Sequence, residues 1–279
     1  MDNNSIAEIS KTKLPGLYEI LSSLESVCIA YSGGVDSTFL LKVARDVLKE
    51  NVLAVTATSP TYPEHELKEA IGLARGIGVR HLIISSNELD IPGFSENNTD
   101  RCYYCKHELF QRLKKEAEKY RIKNIADGSN LDDTKDYRPG RRAAKELGVR
   151  SPLCEAGLTK SDIRYLSSEL GLSTWNKPSL ACLSSRIPYY ETITEEKLKK
   201  IEKAEAFLRR LGFTQFRVRH HNTIARLEFI PEEMSLLSNA ELRSSIDAAL
   251  KAIGFSYVAV DLLGYRTGSM NEAIKRHEG

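Results

Sequence analysis

The chain has 279 residues, 41% hydrophobic and 28% charged, with a formal net charge of +2. That length suffices for about two ordinary domains and a substantial core without disulfides, which sets it apart from small stapled folds. The near-neutral balance removes any whole-protein argument for a nucleic-acid coat or a membrane surface, so a basic site must be local.

The first five residues, Met1-Asp2-Asn3-Asn4-Ser5, are polar and lack the basic-then-apolar layout of a signal peptide. No apolar run approaches the roughly 20 residues that span a bilayer. Five cysteines, Cys28, Cys102, Cys105, Cys154 and Cys182, are an odd number for a long chain. A reducing cytoplasm is the expected location, and there paired cysteines suggest metal or redox chemistry rather than staples.

Val27-Cys28-Ile29-Ala30-Tyr31 reads as a buried strand, followed by a helix from about Ser37 to Glu50. Asn51 to Ala57 reads as a second strand, Pro63 to Gly76 as a second helix, Arg80 to Ser85 as a third strand and Lys123 to Asp127 as a fourth. Strands separated by helix-length segments predict an α/β fold, a parallel sheet with helices on both faces. Ligands of such sheets sit at the carboxyl ends of the strands, here after Tyr31, Ala57 and Asp127. Thr159-Lys160-Ser161-Asp162 opens another helix with a capping-box pattern, ending near Gly171. Past Trp175 the pattern changes: a helix from Thr194 to Leu211, strands 216–220 and 224–229, a helix from Asn239 to Ile253 and a strand from Tyr257 to Leu262. This predicts a smaller C-terminal α+β domain, with residues 1–190 and 191–279 on either side of the boundary.

The strand that ends at Tyr31 runs straight into Ser32-Gly33-Gly34-Val35-Asp36-Ser37-Thr38 and then a helix. Gly33 and Gly34 let the backbone approach a polyanion without Cβ clashes, and the helix-start amides and macrodipole attract it. Hydroxyls of Ser32, Ser37 and Thr38 add donors, and Asp36 is suited to hold Mg²⁺. The loop lacks the Gly-Lys-Ser/Thr ending of a Walker loop and the Gly-x-Gly-x-x-Gly of dinucleotide binders. It resembles the PP-loop of the N-type ATP pyrophosphatases, a group with GMP, NAD and argininosuccinate synthetases and tRNA-thiolating enzymes. That resemblance implies cleavage of ATP between its α- and β-phosphates and transfer of AMP to a substrate oxygen, with Asp36 and Ser37 in the catalytic machinery. Ala57 and Gly128 are the expected ribose and adenine contacts, and Arg138 a candidate for the triphosphate.

Cys102-Tyr103-Tyr104-Cys105 is a C-x-x-C at the start of an amphipathic helix, and Cys182 lies in Ser179-Leu180-Ala181-Cys182. Three cysteines fit structural zinc poorly unless a histidine joins, whereas three can hold a [4Fe–4S] cluster with one open iron. A C-x-x-C alone is equally the mark of two helix-start cysteines. Cys28, inside a strand, reads as core filler. Phe216-Arg217-Val218-Arg219-His220 alternates, so Arg217 and Arg219 share one strand face, fit for bidentate phosphate recognition. Arg266, Ser185 and Arg186 are candidates to complete that pocket, although edge-strand charges are often only solvated.

Over nearly its whole length the chain resembles the LarE family of ATP-dependent sulfur transferases. The resemblance runs through the PP-loop, Ala126-Asp127-Gly128-Ser129-Asn130, Asp136-Tyr137-Arg138-Pro139-Gly140-Arg141, Trp175-Asn176-Lys177, Ser184-Ser185-Arg186, Arg217-Val218-Arg219 and Gly264-Tyr265-Arg266-Thr267-Gly268. It implies adenylation of the carboxylates of pyridinium-3,5-biscarboxylic acid mononucleotide, a small-molecule substrate, and their conversion to thiocarboxylates for the nickel-pincer cofactor. ATP and Mg²⁺ are implied, with the mononucleotide's phosphate on Ser185, Arg186, Arg217, Arg219 and Arg266. Cys102, Cys105 and Cys182 match the subtype whose cysteines hold an iron–sulfur cluster, and Cys182 as a sacrificial sulfur donor stays open. A tRNA-thiolating enzyme would show a larger basic surface, and an amide-forming synthetase would need no cysteine trio. No nucleic-acid or membrane partner is expected. The sequence leaves the oligomeric state open, a closed homo-oligomer being the usual arrangement of soluble assemblies.

Overall fold

A computed structural model describes residues 3–135, 139–179, 181–266 and 269. The chain forms two compact units, one of residues 1–91 and 100–180, the other of residues 92–99 and 181–279.

The first unit holds a four-stranded sheet in the order β3-β2-β1-β4, every pairing parallel. Its strands are β1 (Val27–Ala30), β2 (Val52–Thr58), β3 (Arg80–Ser85) and β4 (Asn124–Ala126), as the apolar runs predict. The period-2 alternation of a strand sends successive side chains to opposite faces. Val27, Ile29, Val52 and Ala54 therefore join one buried cluster, while Cys28, Leu53 and Val55 join another. The first cluster is covered by α1 (Asn3–Leu24) and α2 (Val35–Leu48), through Leu17, Leu21, Phe39 and Leu40. The second is covered by α4 (Arg101–Lys119), through Phe110 and Leu113. The unit also holds α3 (Glu64–Ile77) and α6 (Lys160–Glu169), which add to the first cluster, and α5 (Gly140–Glu146), which adds Ala144 to the second. Cys28 is fully buried in the core, and burial pushes its thiol up to about 12.

The capping box at the start of α6 is present. The Asp162 amide donates to Thr159 Oγ1 and the Thr159 amide donates to Asp162 Oδ2 at 2.8 Å. The same carboxylate accepts from Lys13 Nζ (2.6 Å) and Ser10 Oγ (2.8 Å), so it also ties α1 to α6. Burial opposes its charge, yet Lys13, Thr159 and Ser10 together hold the carboxyl down to about 2. A carboxyl whose folded value is depressed stabilises the protein above its unfolded value near 3.8, and that contribution fades as pH falls towards 2. Asp162→Asn is accordingly expected to cost about 2 kcal/mol at pH 7. In urea titrations the gap from wild type should close progressively between about pH 4 and pH 2; a gap independent of pH would refute the assignment.

The second unit carries a three-stranded sheet in the order β5-β6-β7, with β5 (Phe216–His221) antiparallel to β6 (Ile224–Phe229) and β7 (Tyr257–Val260) parallel to it. Helices α7 (Glu195–Arg210) and α8 (Ala240–Ile253) contribute Leu208, Ile246 and Leu250 to a core with Phe213, Phe216, Val218, Leu227 and Phe229. Thr194 and Asn239 cap the two helices, each side chain accepting first-turn amides. The sequence places a boundary near residue 190, whereas the compact units divide between 180 and 181 and the second also takes in residues 92–99. Asn97 explains that inclusion: its side-chain amide donates to the carbonyls of Pro188 (2.6 Å), Glu191 (3.0 Å) and Ile187 (3.3 Å). Among the described residues no helix is long and apolar enough to cross a membrane.

Candidate active site

At the carboxyl end of β1 the chain turns through Ser32-Gly33-Gly34 into α2. Gly33 has φ +66°, and a Cβ there would stand 2.9 Å from the Ala70 Cβ on α3. Both the left-handed backbone and the close approach require glycine at this position. Gly34 is the N-cap of α2, and no side chain caps that end, which leaves the first-turn amides to serve an anion. The Ser32 and Ser37 hydroxyls stand 3.2 Å apart, and the Ser32 amide donates to Ser37 Oγ at 3.3 Å, closing the loop on itself. Thr38 is fully buried beneath them. Gly128, just past β4, lies so close that a Cβ would be 3.0 Å from the Ser37 nitrogen, so the β4 loop abuts the start of α2.

Asp36, in the first turn of α2, accepts from Lys160 Nζ at 2.5 Å and from the Asn130 side-chain amide at 3.4 Å. Both charges are partly exposed, with 22% and 29% of their side-chain surface open. Asp127 accepts from the Ser129 amide and hydroxyl and from Ser151 Oγ, which makes it a brace for its own loop. Two loop carbonyls are held by side chains: Tyr62 donates to Ser32 O at 2.9 Å, and Lys177 Nζ to Gly33 O at 3.3 Å. Ala57 is the penultimate residue of β2, paired with Ile84. Arg138 lies outside the described residues.

Cys102 and Cys105 are the second and fifth residues of α4, three positions apart and so neighbours on its surface. Cys102 is exposed; Cys105 is half-buried, its thiol donating to Glu88 Oε1 at 3.6 Å. In the second unit Cys182 is exposed, with its sulfur 2.8 Å from Ser184 Oγ. Among the described residues no group of three or more His, Cys, Asp or Glu side chains is gathered as a metal site.

The second unit holds the arginines. Arg186 is buried and paired with Glu205 through two contacts, Nε to Oε1 at 2.8 Å and Nη2 to Oε2 at 3.0 Å. Burial disfavours its charge, but Glu205 outweighs burial and raises the guanidinium's pKa. Glu205 also accepts the Val218 amide at 3.1 Å, which fixes α7 against β5. Arg219 donates to Glu228 Oε2 (2.8 Å), Ser185 O (2.8 Å) and Ser269 Oγ (2.7 Å). Arg226 bridges Glu228 and Asp261, and Arg266 reaches Asp261 at 3.2 Å. Arg217 donates to Phe216 O at 2.7 Å and lies over the Tyr265 ring, 5.0 Å from its centroid. Burial and the neighbouring Arg186 push its guanidinium down to about 10, against the pull of Glu205. Among the described residues, the guanidinium groups of Arg186, Arg219, Arg226 and Arg266 pair with the carboxylates of Glu205, Glu228 and Asp261, and Arg217 lies beside this network.

Residues 19–128 match the NAD synthase family. A pyridinium-3,5-bisthiocarboxylic acid mononucleotide synthase of Lactiplantibacillus plantarum is 38% identical over 95% of this chain and 96% of its own. The chain belongs to the LarE family. An uncharacterized Synechocystis protein, slr1717, is 43% identical over 95% of this chain and 99% of its own length. The Methanocaldococcus jannaschii protein MJ0830 is 32% identical over 87% and 92% respectively.

As a LarE-family protein with a PP-loop domain, the chain is an enzyme of the nucleotide-binding kind. Three residues at its loop escape sequence reasoning. Lys160 is hidden inside a capping-box pattern, and Tyr62 looks like any loop aromatic just ahead of a helix. Lys177 stands in Trp175-Asn176-Lys177, a motif that attracts attention but whose contacts lie more than a hundred residues away.

Proposed function

We propose that the protein uses ATP to activate the carboxylates of pyridinium-3,5-biscarboxylic acid mononucleotide and converts them to thiocarboxylates, in the reducing cytoplasm. The observation that carries this reading is the uncapped start of α2 behind two glycines, with Asp36 beside it. The amides of that turn hold the β- and γ-phosphates, and Asp36, now paired with Lys160, would hold Mg²⁺, which supplies charge neutralisation of the phosphates. A carboxylate oxygen of the substrate attacks the α-phosphorus, the bond to the β-phosphate oxygen breaks, and pyrophosphate leaves from the loop. The product is an acyl adenylate, a mixed anhydride that water must not reach.

The guanidinium groups of Arg217 and Arg219, two positions apart on β5, suit the substrate's phosphate monoester, which carries about −1.5 to −2 at pH 7. Arg266 and Ser185 sit within the same network, and Arg186 orders it from below through Glu205. The thiols of Cys102, Cys105 and Cys182 are the soft donors an iron–sulfur cluster takes, and all three are at least partly exposed. They would hold a [4Fe–4S] cluster, which when bound supplies the sulfur that replaces AMP on the acyl carbon.

The test uses anaerobically prepared protein, reconstituted with iron and sulfide and assayed for both. Wild type should hold iron and sulfide and Cys102→Ala should lose most of them; iron-free wild type after reconstitution would exclude the cluster. With ATP, pyrophosphate release should depend on the dicarboxylate mononucleotide. Release that appeared only with tRNA would overturn the substrate.

A further inference from the structure

In a trans peptide the carbonyl and the following N–H point in opposite directions, and no cis bond occurs among the described residues. Whatever fixes the Ser32 carbonyl therefore aims the Gly33 amide, and whatever fixes the Gly33 carbonyl aims the Gly34 amide. The partners are Tyr62, whose hydroxyl donates to Ser32 O at 2.9 Å, and Lys177, whose ammonium donates to Gly33 O at 3.3 Å.

Lys177 has a second task. Its ammonium also meets Glu66 Oε2 at 2.8 Å and Glu69 Oε2 at 2.7 Å, both on α3. Glu66 is only 4% exposed, and Ala70 on the same helix is the residue packed against Gly33. Two carboxylates thus lie behind a loop built to receive a polyanion, with one ammonium between them. Lys177 is itself held in place, because Arg164 on α6 donates to the carbonyls of Trp175 and Lys177, each at 2.8 Å. An ammonium committed to two carboxylates and a carbonyl is not a phosphate ligand in waiting.

We propose that Tyr62 and Lys177 are positioning residues of the PP-loop: they turn the Gly33 and Gly34 amides towards the departing pyrophosphate, and Lys177 screens that anion from Glu66 and Glu69. The inference rests on the reading of this loop as a pyrophosphate cradle. A merely structural ion pair would affect melting temperature alone, whereas positioning and screening act on anion affinity.

The experiment is calorimetric titration of full-length protein with Mg²⁺ and inorganic pyrophosphate, alongside thermal melts. Lys177→Met should bind pyrophosphate about 10- to 100-fold more weakly, the size of a lost charged hydrogen bond. Adding Glu66→Gln and Glu69→Gln to Lys177→Met should recover most of that loss, because the repelling charge is gone. Tyr62→Phe keeps charge and packing and should weaken binding about 3- to 10-fold. Wild-type affinity in Lys177→Met, or no recovery in the triple variant, would overturn the screening. Unchanged affinity in Tyr62→Phe would overturn the carbonyl brace, even if Lys177→Met failed to fold. Wild type that bound no pyrophosphate would instead sink the cradle reading itself.

Discussion

Asp36→Asn protein is expected to release pyrophosphate from ATP at no more than about one-hundredth of the wild-type rate, while melting close to wild type. The side chain is nearly the same size, so packing at the first turn of α2 survives. What disappears is the negative charge, and a hard divalent cation binds a carboxylate far better than a neutral amide. The substitution also leaves the Lys160 ammonium, now 2.5 Å from Asp36, without its counter-charge beside the anion site. Pyrophosphate should therefore still bind in the absence of metal, and the defect should lie in turnover and in Mg²⁺ dependence. A coupled pyrophosphate assay across a Mg²⁺ titration separates the two. Turnover at the wild-type rate would mean that catalysis resides elsewhere.

Breaking the Arg186–Glu205 pair should have the largest effect on stability. Both side chains are buried, 4% and 7% exposed, and the carboxylate serves the guanidinium and the Val218 amide together. Glu205→Leu removes the only carboxylate that Arg186 meets at bonding distance among the described contacts, leaving a charge in the interior of the second unit. Such a loss costs about 3–5 kcal/mol, whereas replacing both partners with apolar groups is often close to neutral. Urea unfolding at pH 7 should accordingly rank wild type above the double Arg186→Leu/Glu205→Leu variant and place Glu205→Leu last. Equal midpoints for wild type and Glu205→Leu would show that the pair contributes nothing to the fold.

The strands and most helices were legible because their signals are local. Val27–Ala30 and Val52–Thr58 are short apolar runs, and the glycines after Tyr31 announce both the turn and its anion. Thr159 and Asp162 announce the start of α6 just as plainly. Helix α1 was not legible, since Pro15 interrupts it and its leading residues are polar, although Leu17, Leu21 and Leu24 keep helical spacing. At the site, the loop and the alternating arginines of β5 could be named from sequence. The partners of those residues could not. Lys160 reaches Asp36 across 124 positions and Lys177 reaches Glu66 across 111, and neither distance leaves any periodic trace. The pairing of Arg186 with Glu205 and of Arg219 with Glu228 was equally hidden, because it depends on which carboxylates fold towards the arginines.

Asn97 has a bearing on how the molecule comes to be made. Its three bonds to Ile187, Pro188 and Glu191 join positions 90 to 94 residues apart. Contacts of such separation form slowly, because a long stretch of chain must first be brought round. During synthesis residues 92–99 emerge well before the segment that receives them, so the smaller unit is completed only once its late-made part arrives. A fragment cut at residue 181 would lack that clasp, and the two units are thus inherited together, as interleaved lengths of one chain.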